Sequence, residues 1–495
     1  MSETQSSYRQ IIKATSLFGG VQVFNIIISI IRAKIIAVLL GPTGMGLAGL
    51  LTSTTGLISS LTNFGIGTSA VRDVAAAYEK GNNIRIATVM LVLRRVVWIT
   101  GCLGALVTLC LSPWLSQFTF GNKDYTLAFV WLSITLLLSQ LSSGQMVMLQ
   151  GMRKLKHLAR ANIYGSALGL IITIPIYYKF RMQGIVPSII IYSIVSLTIS
   201  WYFSRMFKTE KVKVSPMRTF AEGKKMLVLG FMLSLSGLIS FGTSYLVKIY
   251  ISKTGGIDQV GLYNSGFTII FTYVGMIFAA MATDYYPRLS AVMNDNLECR
   301  RIINQQADVA ILIIAPILSI FLVFINVVIL LLYTKKFLVI NEMIHWVALG
   351  MFFKASSWAI AFLLLAKGST RIYFWSEVVA ILYMFAFNIV GYRYGGLTGV
   401  GFSYLLGYFI YFFQNLIISR IKFEFRFDSA FYWIFIVQFL LSLICFTLSR
   451  FLSGTLFYII GSIVILVSTT FSLFELNKRI GLFSFLQNMI KKNYR

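Results

Sequence analysis

The amino-acid sequence predicts an all-α integral membrane protein with about fourteen transmembrane helices and no soluble catalytic domain. Hydrophobic residues make up 57% of the 495 positions and charged residues only 12%, whereas about a quarter of a soluble domain is charged. Because so little polar surface cannot cover a folded chain in water, lipid must be its solvent. The apolar residues also fall in runs of about 20, the length that crosses a bilayer as a helix.

The predicted spans follow from these apolar runs in chain order. The first run begins near Ser16, is too long for the core of a signal peptide and has no small-residue cleavage site after it, so we expect it to remain as helix one. Short polar, Gly-containing or basic stretches separate the later runs. The spans are 14–40, 45–71, 90–113, 125–148, 161–178, 185–206, 226–252, 258–284, 306–333, 340–366, 372–392, 396–419, 429–449 and 454–476.

A weak internal repeat predicts two lobes of six helices. GPTGMGLAGL follows helix one and GGIDQVGLYN follows helix seven, so that Gly46 aligns with Gly261. Halves repeated in the same orientation imply a pseudo-two-fold axis along the membrane normal and a central cavity, although chance similarity between apolar segments is the alternative. The predicted parts are an N-lobe at 1–206, a basic cytoplasmic linker at 207–225, a C-lobe at 226–419, two extra helices within 420–476 and a basic cytoplasmic tail at 477–495.

The net charge of +27 would suggest nucleic acid as a partner in a soluble protein. Here the basic residues lie in short loops between apolar spans, and roughly four times as many lie on the side of the N-terminus as on the other. Both termini are therefore predicted to be cytoplasmic, and no nucleic-acid partner is expected. The four cysteines lack metal-ligand spacing and are interpreted as packing residues.

Four cations fall inside the predicted spans, where each costs several kcal/mol and commonly faces a cavity. Arg32 and Lys34 lie on helix one, about 160° apart around its axis, so only one of them can face a given cavity. Lys248 lies near the outer end of helix seven, where interfacial snorkelling is the alternative. Lys354 lies near the middle of helix ten, where snorkelling is difficult.

Acidic residues are almost absent from the spans. Only Glu377 lies clearly within one, where it is a candidate for ion coupling or for pairing with a Lys or Arg. Since the buried charges are basic, the sequence predicts an anionic substrate. His157 and His345 have no metal-spaced partner, no Gly-rich phosphate loop follows a strand, and the outer loops are short, so we expect no catalytic residues, metal or cofactor.

The segment WVALGMFFKASSWAIAFLLLAKGSTRIYFWSEV, with IIAVLLGPTGMGLAGL and FGNKDY, resembles the polysaccharide transport branch of the multidrug/oligosaccharidyl-lipid/polysaccharide exporter superfamily, which includes O-antigen translocases and lipid III flippases. Lys354, Lys367, Arg371, Tyr373 and Glu377 occupy the basic, aromatic and acidic places of that pattern. The presence of both Arg32 and Lys34 departs from it.

The resemblance implies a flippase that moves undecaprenyl-pyrophosphate-linked oligosaccharide from the cytoplasmic to the periplasmic leaflet of the bacterial inner membrane by alternating access. Its pyrophosphate would engage Arg32, Lys34, Lys248 and Lys354. Expected partners are the lipid-linked oligosaccharide, membrane lipids and other polysaccharide assembly proteins, with the protein itself a monomer. The alternatives are a cation-coupled multidrug antiporter of the same superfamily, an integral-membrane polysaccharide polymerase or ligase, and a passive scaffold for glycan assembly.

Overall fold

The computed structural model describes residues 3–79, 81–207 and 212–480. Part of the predicted linker, 208–211, and the predicted tail beyond residue 480 lie outside the described residues. Within the described ranges all regular structure is helical, as the sequence predicts.

The helices are numbered here in chain order. Two short 3-10 turns, at Arg181–Gly184 and Lys335–Ile340, precede α7 and α11. The α-helices are α1 Glu3–Thr62, α2 Ile66–Glu79, α3 Asn83–Cys110, α4 Ser112–Phe120, α5 Thr126–Gly151, α6 Leu155–Phe180, α7 Ile185–Arg205, α8 Pro216–Gly255, α9 Ile257–Ala291, α10 Asn296–Leu332, α11 Asn341–Ala366, α12 Thr370–Phe423, α13 Ser429–Phe451 and α14 Gly454–Ile480.

Ten of the described helical stretches are long and apolar enough to cross a membrane. Three of them, at Val21–Thr62, Leu155–Arg205 and Arg371–Phe423, are 42, 51 and 53 residues long, which is enough for two crossings each at about 20 residues per crossing. Each predicted span falls largely on a helix, so the chain is a multi-pass membrane protein.

Two of these double-length stretches are each interrupted by one glycine. Gly41 divides α1, with φ 66°, and Gly396 divides α12, with φ 54°. Both φ values lie in the left-handed region that glycine enters without steric cost. The helices predicted as 14–40 and 45–71, and those predicted as 372–392 and 396–419, are therefore joined by a one-residue break rather than by a loop.

Helix two is shorter than predicted. The predicted span 45–71 contains the end of α1 at Thr62 and the start of α2 at Ile66. Phe64 and Gly65 between them have φ values of 47° and 63°. A Cβ on Gly65 would come within 2.2 Å of the Gly230 carbonyl oxygen, so this break allows close approach of α8, a contact that apolar periodicity does not encode.

The chain divides into two compact units. The first contains residues 1–261 and 332–334, and the second contains 262–331 and 335–495. The first unit includes all of α8, because α8 packs on α1 to α4, and the division falls near the start of α9. The linker at 207–225 and the other predicted domain bounds stay predictions. The six-helix lobes and the repeat remain predictions.

In the first unit, α1 and the start of α9 cross at two glycines, Gly46 and Gly261. A Cβ on Gly46 would lie 1.8 Å from the Ile257 carbonyl oxygen, and one on Gly261 would lie 1.9 Å from the Pro42 carbonyl oxygen. The two glycines that the predicted repeat aligns are thus in contact with each other's backbone. In the second unit, α11 is buried over most of its surface and packs along α12.

Candidate functional site

The first unit holds Lys248 beside a hydroxyl of α1. The Lys248 ammonium donates a hydrogen bond of 2.9 Å to Ser53 Oγ, and Lys248 is half-buried. Ser53 belongs to the run of Ser and Thr on helix two for which the sequence leaves both helix packing and a wet lining open. Its neighbours Thr52 and Thr55 donate to carbonyl oxygens of their own helix. Ser53 therefore supplies a polar contact across helices rather than a bond within α1.

One turn before Lys248, the Tyr245 hydroxyl joins three helices. It lies 2.9 Å from Thr54 Oγ1 on α1 and 2.6 Å from Thr119 Oγ1 on α4. All three side chains are buried. Because buried polar groups rigidify a site when each has a partner, this cluster holds the Lys248-bearing face of α8 against α1 and α4.

Arg32 stacks on a ring, and no carboxylate pairs with it in the described ranges. Its guanidinium carbon lies 4.5 Å from the centroid of the Tyr192 ring on α7. That ring packs against Gly169, where a Cβ would approach it to 2.5 Å. The buried Arg32 Nε has no hydrogen-bond partner among the described residues. Arg32 thus retains donor capacity that a bound anion could use.

Lys34 differs from Arg32. Its ammonium donates to the backbone carbonyl of Tyr333, a residue of the short segment that clusters with the first unit. A protein acceptor therefore already engages the Lys34 charge, whereas among the described residues no hydrogen-bond acceptor engages Arg32. Of the two basic residues on helix one, Arg32 is the better placed to meet a ligand.

The second unit holds Lys354 at the middle of α11. Its Nζ lies 4.2 Å from the ring centroid of Phe271, 5.3 Å from that of Tyr408 and 5.9 Å from that of Tyr404. These rings come from α9 and α12. Among the described residues no carboxylate pairs with Lys354, and no hydrogen bond to its ammonium is present. Ring faces attract a cation by about 0.5–2 kcal/mol, which offsets only part of the several kcal/mol that intramembrane charge costs.

Glu377 on α12 accepts a hydrogen bond from the Tyr411 hydroxyl. Tyr408, whose ring faces Lys354, lies 6.1 Å from the Tyr411 ring and interacts electrostatically with Glu377. In the described part of the chain the partner of Glu377 is therefore a tyrosine and not a Lys or Arg. Its carboxylate and the Lys354 ammonium lie at the two ends of one tyrosine network.

Sequence reasoning missed the aromatic partners of these charges. Tyr404, Tyr408 and Tyr411 are spaced four and three residues apart, which places them on one face of α12. That spacing was a usable signal, whereas Phe271 and Tyr192 are single aromatic residues in apolar helices and give none. No cluster of three or more metal-ligating side chains occurs within the residues that the structure describes.

This fold, with cations along its spans, is that of a multi-pass membrane protein, and solved membrane transporters share it. The structure is similar to that of the lipid II flippase MurJ in an inward closed conformation, with a TM-score of 0.72 and 12% identity over 94% of this chain and 99% of that one. It is also similar to an inward-facing multidrug resistance MATE family transporter, with a TM-score of 0.66 and 14% identity over 81% of this chain and 94% of that one. At such identities the likeness shows the fold alone.

The sequence match is more specific than the likeness in fold. Residues 35–342 match the family described as polysaccharide biosynthesis protein, and the chain belongs to that family. It is 24% identical over 379 residues to a Shigella flexneri protein named as an O-antigen transporter, covering 74% of this chain and 87% of the relative. It is 23% identical to the lipid III flippase of Escherichia coli strain K12, covering 77% of this chain and 91% of the relative.

Proposed function

We propose that this protein is a flippase for undecaprenyl-pyrophosphate-linked oligosaccharide, an O-antigen unit or a similar surface polysaccharide unit. It moves this lipid from the cytoplasmic to the periplasmic leaflet by alternating access and performs no catalytic step. The family, and the names of relatives that cover most of the chain, support this proposal.

The observation that carries the proposal is the Lys354 ammonium within its cage of rings. It is half-buried and has no acidic partner among the described residues. An unpaired ammonium in a membrane helix destabilises the protein unless something compensates its charge. A pyrophosphate would supply the missing negative charge during transport, and in a low-dielectric site that attraction is stronger than in water.

Three further cations support an anionic passenger. Arg32 could grip a phosphate bidentately, since guanidinium presents paired donors. Lys248 offers a point charge with donors beyond the one used by Ser53. Lys34 is retained in the proposed set, although its bond to the Tyr333 carbonyl makes it the least available.

The test is a gene deletion combined with analysis of lipid-linked sugars. We expect the deletion strain to accumulate undecaprenyl-pyrophosphate-linked single units on the cytoplasmic side, and the wild-type gene to restore export. If the lipid-linked unit reaches the periplasmic leaflet at normal rates in a strain without compensating relatives, the proposal is wrong. A polymerase or ligase would instead leave translocated single units exposed to periplasmic enzymes.

The orientation is part of the proposal. Both termini are cytoplasmic, as the four-to-one bias of basic residues suggests, and the protein acts as a monomer in the bacterial inner membrane, with other polysaccharide assembly proteins as partners. Reporter fusions at the 121–125 and 292–295 connections test the orientation, because they must report opposite sides.

A second candidate is a cation-coupled multidrug antiporter. The Glu377 carboxylate and the similarity to a MATE family fold favour it, since a coupling ion would use an intramembrane carboxylate. Ethidium efflux from whole cells separates the two. The antiporter predicts efflux that Glu377→Gln abolishes, whereas the flippase predicts no gene-dependent efflux.

A further inference from the structure

The first unit carries a groove of about 670 Å³ between α3, α5 and α7. Its walls are mainly apolar and include Val97, Leu141 and Leu197, while Arg94 and Arg205 line it as well. None of the cations assigned to the transported lipid lies in it. This α3–α5–α7 groove is therefore a separate site from the one proposed for the pyrophosphate.

The two arginines of the groove lack anionic partners. Both are exposed, and within the described ranges neither forms an ion pair or donates a hydrogen bond. Arg205 instead lies over the Trp201 ring, 4.9 Å from its centroid. No carboxylate lines the groove. Two guanidinium groups with open donors on one apolar groove favour a ligand that has a phosphate and an apolar tail.

A third polar group is oriented by the fold. The buried Ser204 hydroxyl donates to Gln145 Oε1. This bond occupies the acceptor end of the Gln145 amide and leaves its two N–H donors for another oxygen. Arg94, Arg205 and Gln145 can thus all donate hydrogen bonds into the groove. Such donors suit the acceptor oxygens of a phosphate or an ester.

The tryptophans place the groove at the edge of the membrane. Trp98 is 52% exposed and Trp201 is 46% exposed, and tryptophan is enriched where the hydrocarbon meets the headgroups. The groove lies near the ends of α5 and α7, at Gly151 and Arg205. In the proposed orientation these are cytoplasmic ends, where anionic lipids concentrate.

We propose that the α3–α5–α7 groove binds one anionic phospholipid of the cytoplasmic leaflet. Its phosphate contacts Arg94 and Arg205, an ester or headgroup oxygen accepts from Gln145, and an acyl chain lies along Val97, Leu141 and Leu197. Basic pockets between transmembrane helices on the cytoplasmic side are sites of anionic headgroup binding. The bound lipid is a resident of the outer surface of this unit and not the transported molecule.

Native mass spectrometry of the full chain, released from detergent and titrated with phosphatidylglycerol, tests this site. Removing both charges with Arg94→Gln and Arg205→Gln is expected to weaken phosphatidylglycerol binding at least tenfold. Filling the groove with Thr198→Trp, which keeps both arginines, is expected to weaken it similarly. Phosphatidylcholine, whose headgroup has no net charge, is expected to bind wild-type protein about as weakly as phosphatidylglycerol binds the double variant.

The matched control is Arg393→Gln, which removes an exposed arginine beside the Tyr394 ring on α12. It is expected to retain wild-type binding of phosphatidylglycerol.

The proposal is overturned if the double variant binds phosphatidylglycerol as tightly as the wild type, or if Arg393→Gln weakens that binding as much as the double variant does. It is also overturned if undecaprenyl pyrophosphate displaces phosphatidylglycerol from the wild-type protein at a much lower concentration than added phosphatidylglycerol does, because the groove would then be a substrate site. This binding readout does not depend on whether the protein is a flippase.

Discussion

The two units hold their intramembrane lysines in different ways. In the first unit Lys248 has a hydroxyl acceptor, Ser53 Oγ at 2.9 Å, beside a buried cluster of tyrosine and threonine hydroxyls. In the second unit Lys354 faces three aromatic rings and has no hydrogen bond or ion pair among the described residues. A hydroxyl uses one ammonium proton, whereas a ring face attracts the charge without a fixed acceptor.

Under the proposed function, this difference distinguishes Lys248, whose charge the protein already partly compensates, from Lys354, whose charge is left for a ligand. A residue whose charge the protein compensates poorly lowers stability, and such residues are retained where function requires them. Lys354 should therefore matter more to transport and less to folding than Lys248 does. Substitutions at the two lysines and in the helices around them test that contrast.

The contact between Gly46 and Gly261 in the first unit is where a substitution should destabilise the protein most. Gly46→Ala is expected to destabilise the protein by about 3 kcal/mol, because the new Cβ would meet the Ile257 carbonyl oxygen, which is backbone and cannot rotate away. Gly46 lies about two turns before Ser53 on α1, so the Lys248 contact should be lost too. Yield of folded protein in size-exclusion chromatography is the measurement. Gly67→Ala is the control, since nothing lies within 4 Å of a Cβ there, and equal loss in both would contradict the crossing.

Replacing Lys354, which faces three aromatic rings, should reduce transport without reducing stability. Lys354→Met is expected to reduce glycan export at least tenfold while leaving the thermal midpoint unchanged or higher, because an uncompensated charge is removed from the spans. Export in the complemented deletion strain and thermal unfolding of purified protein measure the two effects. Lys253→Met removes an exposed lysine that lies over the Phe118 ring near the end of α8 and should change neither. Normal export by Lys354→Met would refute the role of the cage.

The hydroxyl partner of Lys248 can be tested by a double-mutant cycle. Ser53→Ala is expected to cost about 1 kcal/mol, because the ammonium loses its acceptor. In a Lys248→Met background the same substitution should cost less, giving a coupling energy of about 0.5–1 kcal/mol. Thr52→Ala is the control, since the bonds of Thr52 within the described part of the chain go to carbonyl oxygens of α1. Strict additivity of the Ser53 and Lys248 changes would show that the two residues do not interact.

The smallest effect concerns the linker predicted at 207–225. Burial acts to raise the pKa of Glu222, but hydrogen bonds from Arg85 and Arg218 outweigh it and hold that pKa below its usual value. A lowered pKa in the folded state stabilises the fold above the unfolded pKa, near 4.3, and this contribution is lost as pH falls through the folded pKa. Glu222→Gln should therefore cost about 1 kcal/mol or less at pH 7, since both arginines are exposed, and nothing once the pH is well below 4.

Thermal unfolding between pH 3 and pH 7 measures that dependence. Asp73→Asn, which removes a pair between adjacent surface residues, should show a smaller change across the same range. A difference between wild type and Glu222→Gln that grows towards acid pH would reverse the assigned sign.

The sequence predicted the fold class and the positions of the helices because both depend on a strong local signal. A run of about 20 apolar residues has few alternatives to a membrane span. The same signal made Lys354 a candidate site residue, since a cation in the middle of such a run is conspicuous, and its role stays a prediction. The end of α1 at Thr62 was missed because it depends on the approach of Gly65 to Gly230, a contact between residues far apart in sequence.

The partners of the charges could not be predicted for the same reason. Ser53 and Lys248 are 195 residues apart, and the rings around Lys354 come from helices on either side of α11. Periodicity assigns a residue to a helix face but does not say which helix meets that face. Of these partners, only the tyrosines on α12 follow a pattern that the sequence shows. Their spacing predicts a polar stripe on that helix but does not predict that Lys354 or Glu377 contacts it.

The breaks at Gly41 and Gly396 have a practical consequence for mapping this protein. Each break is a single glycine with positive φ between two helical segments. An epitope or protease site inserted there would therefore interrupt a helix. Labels belong instead at the five-residue connection between α4 and α5, 121–125, where the backbone is already outside a helix.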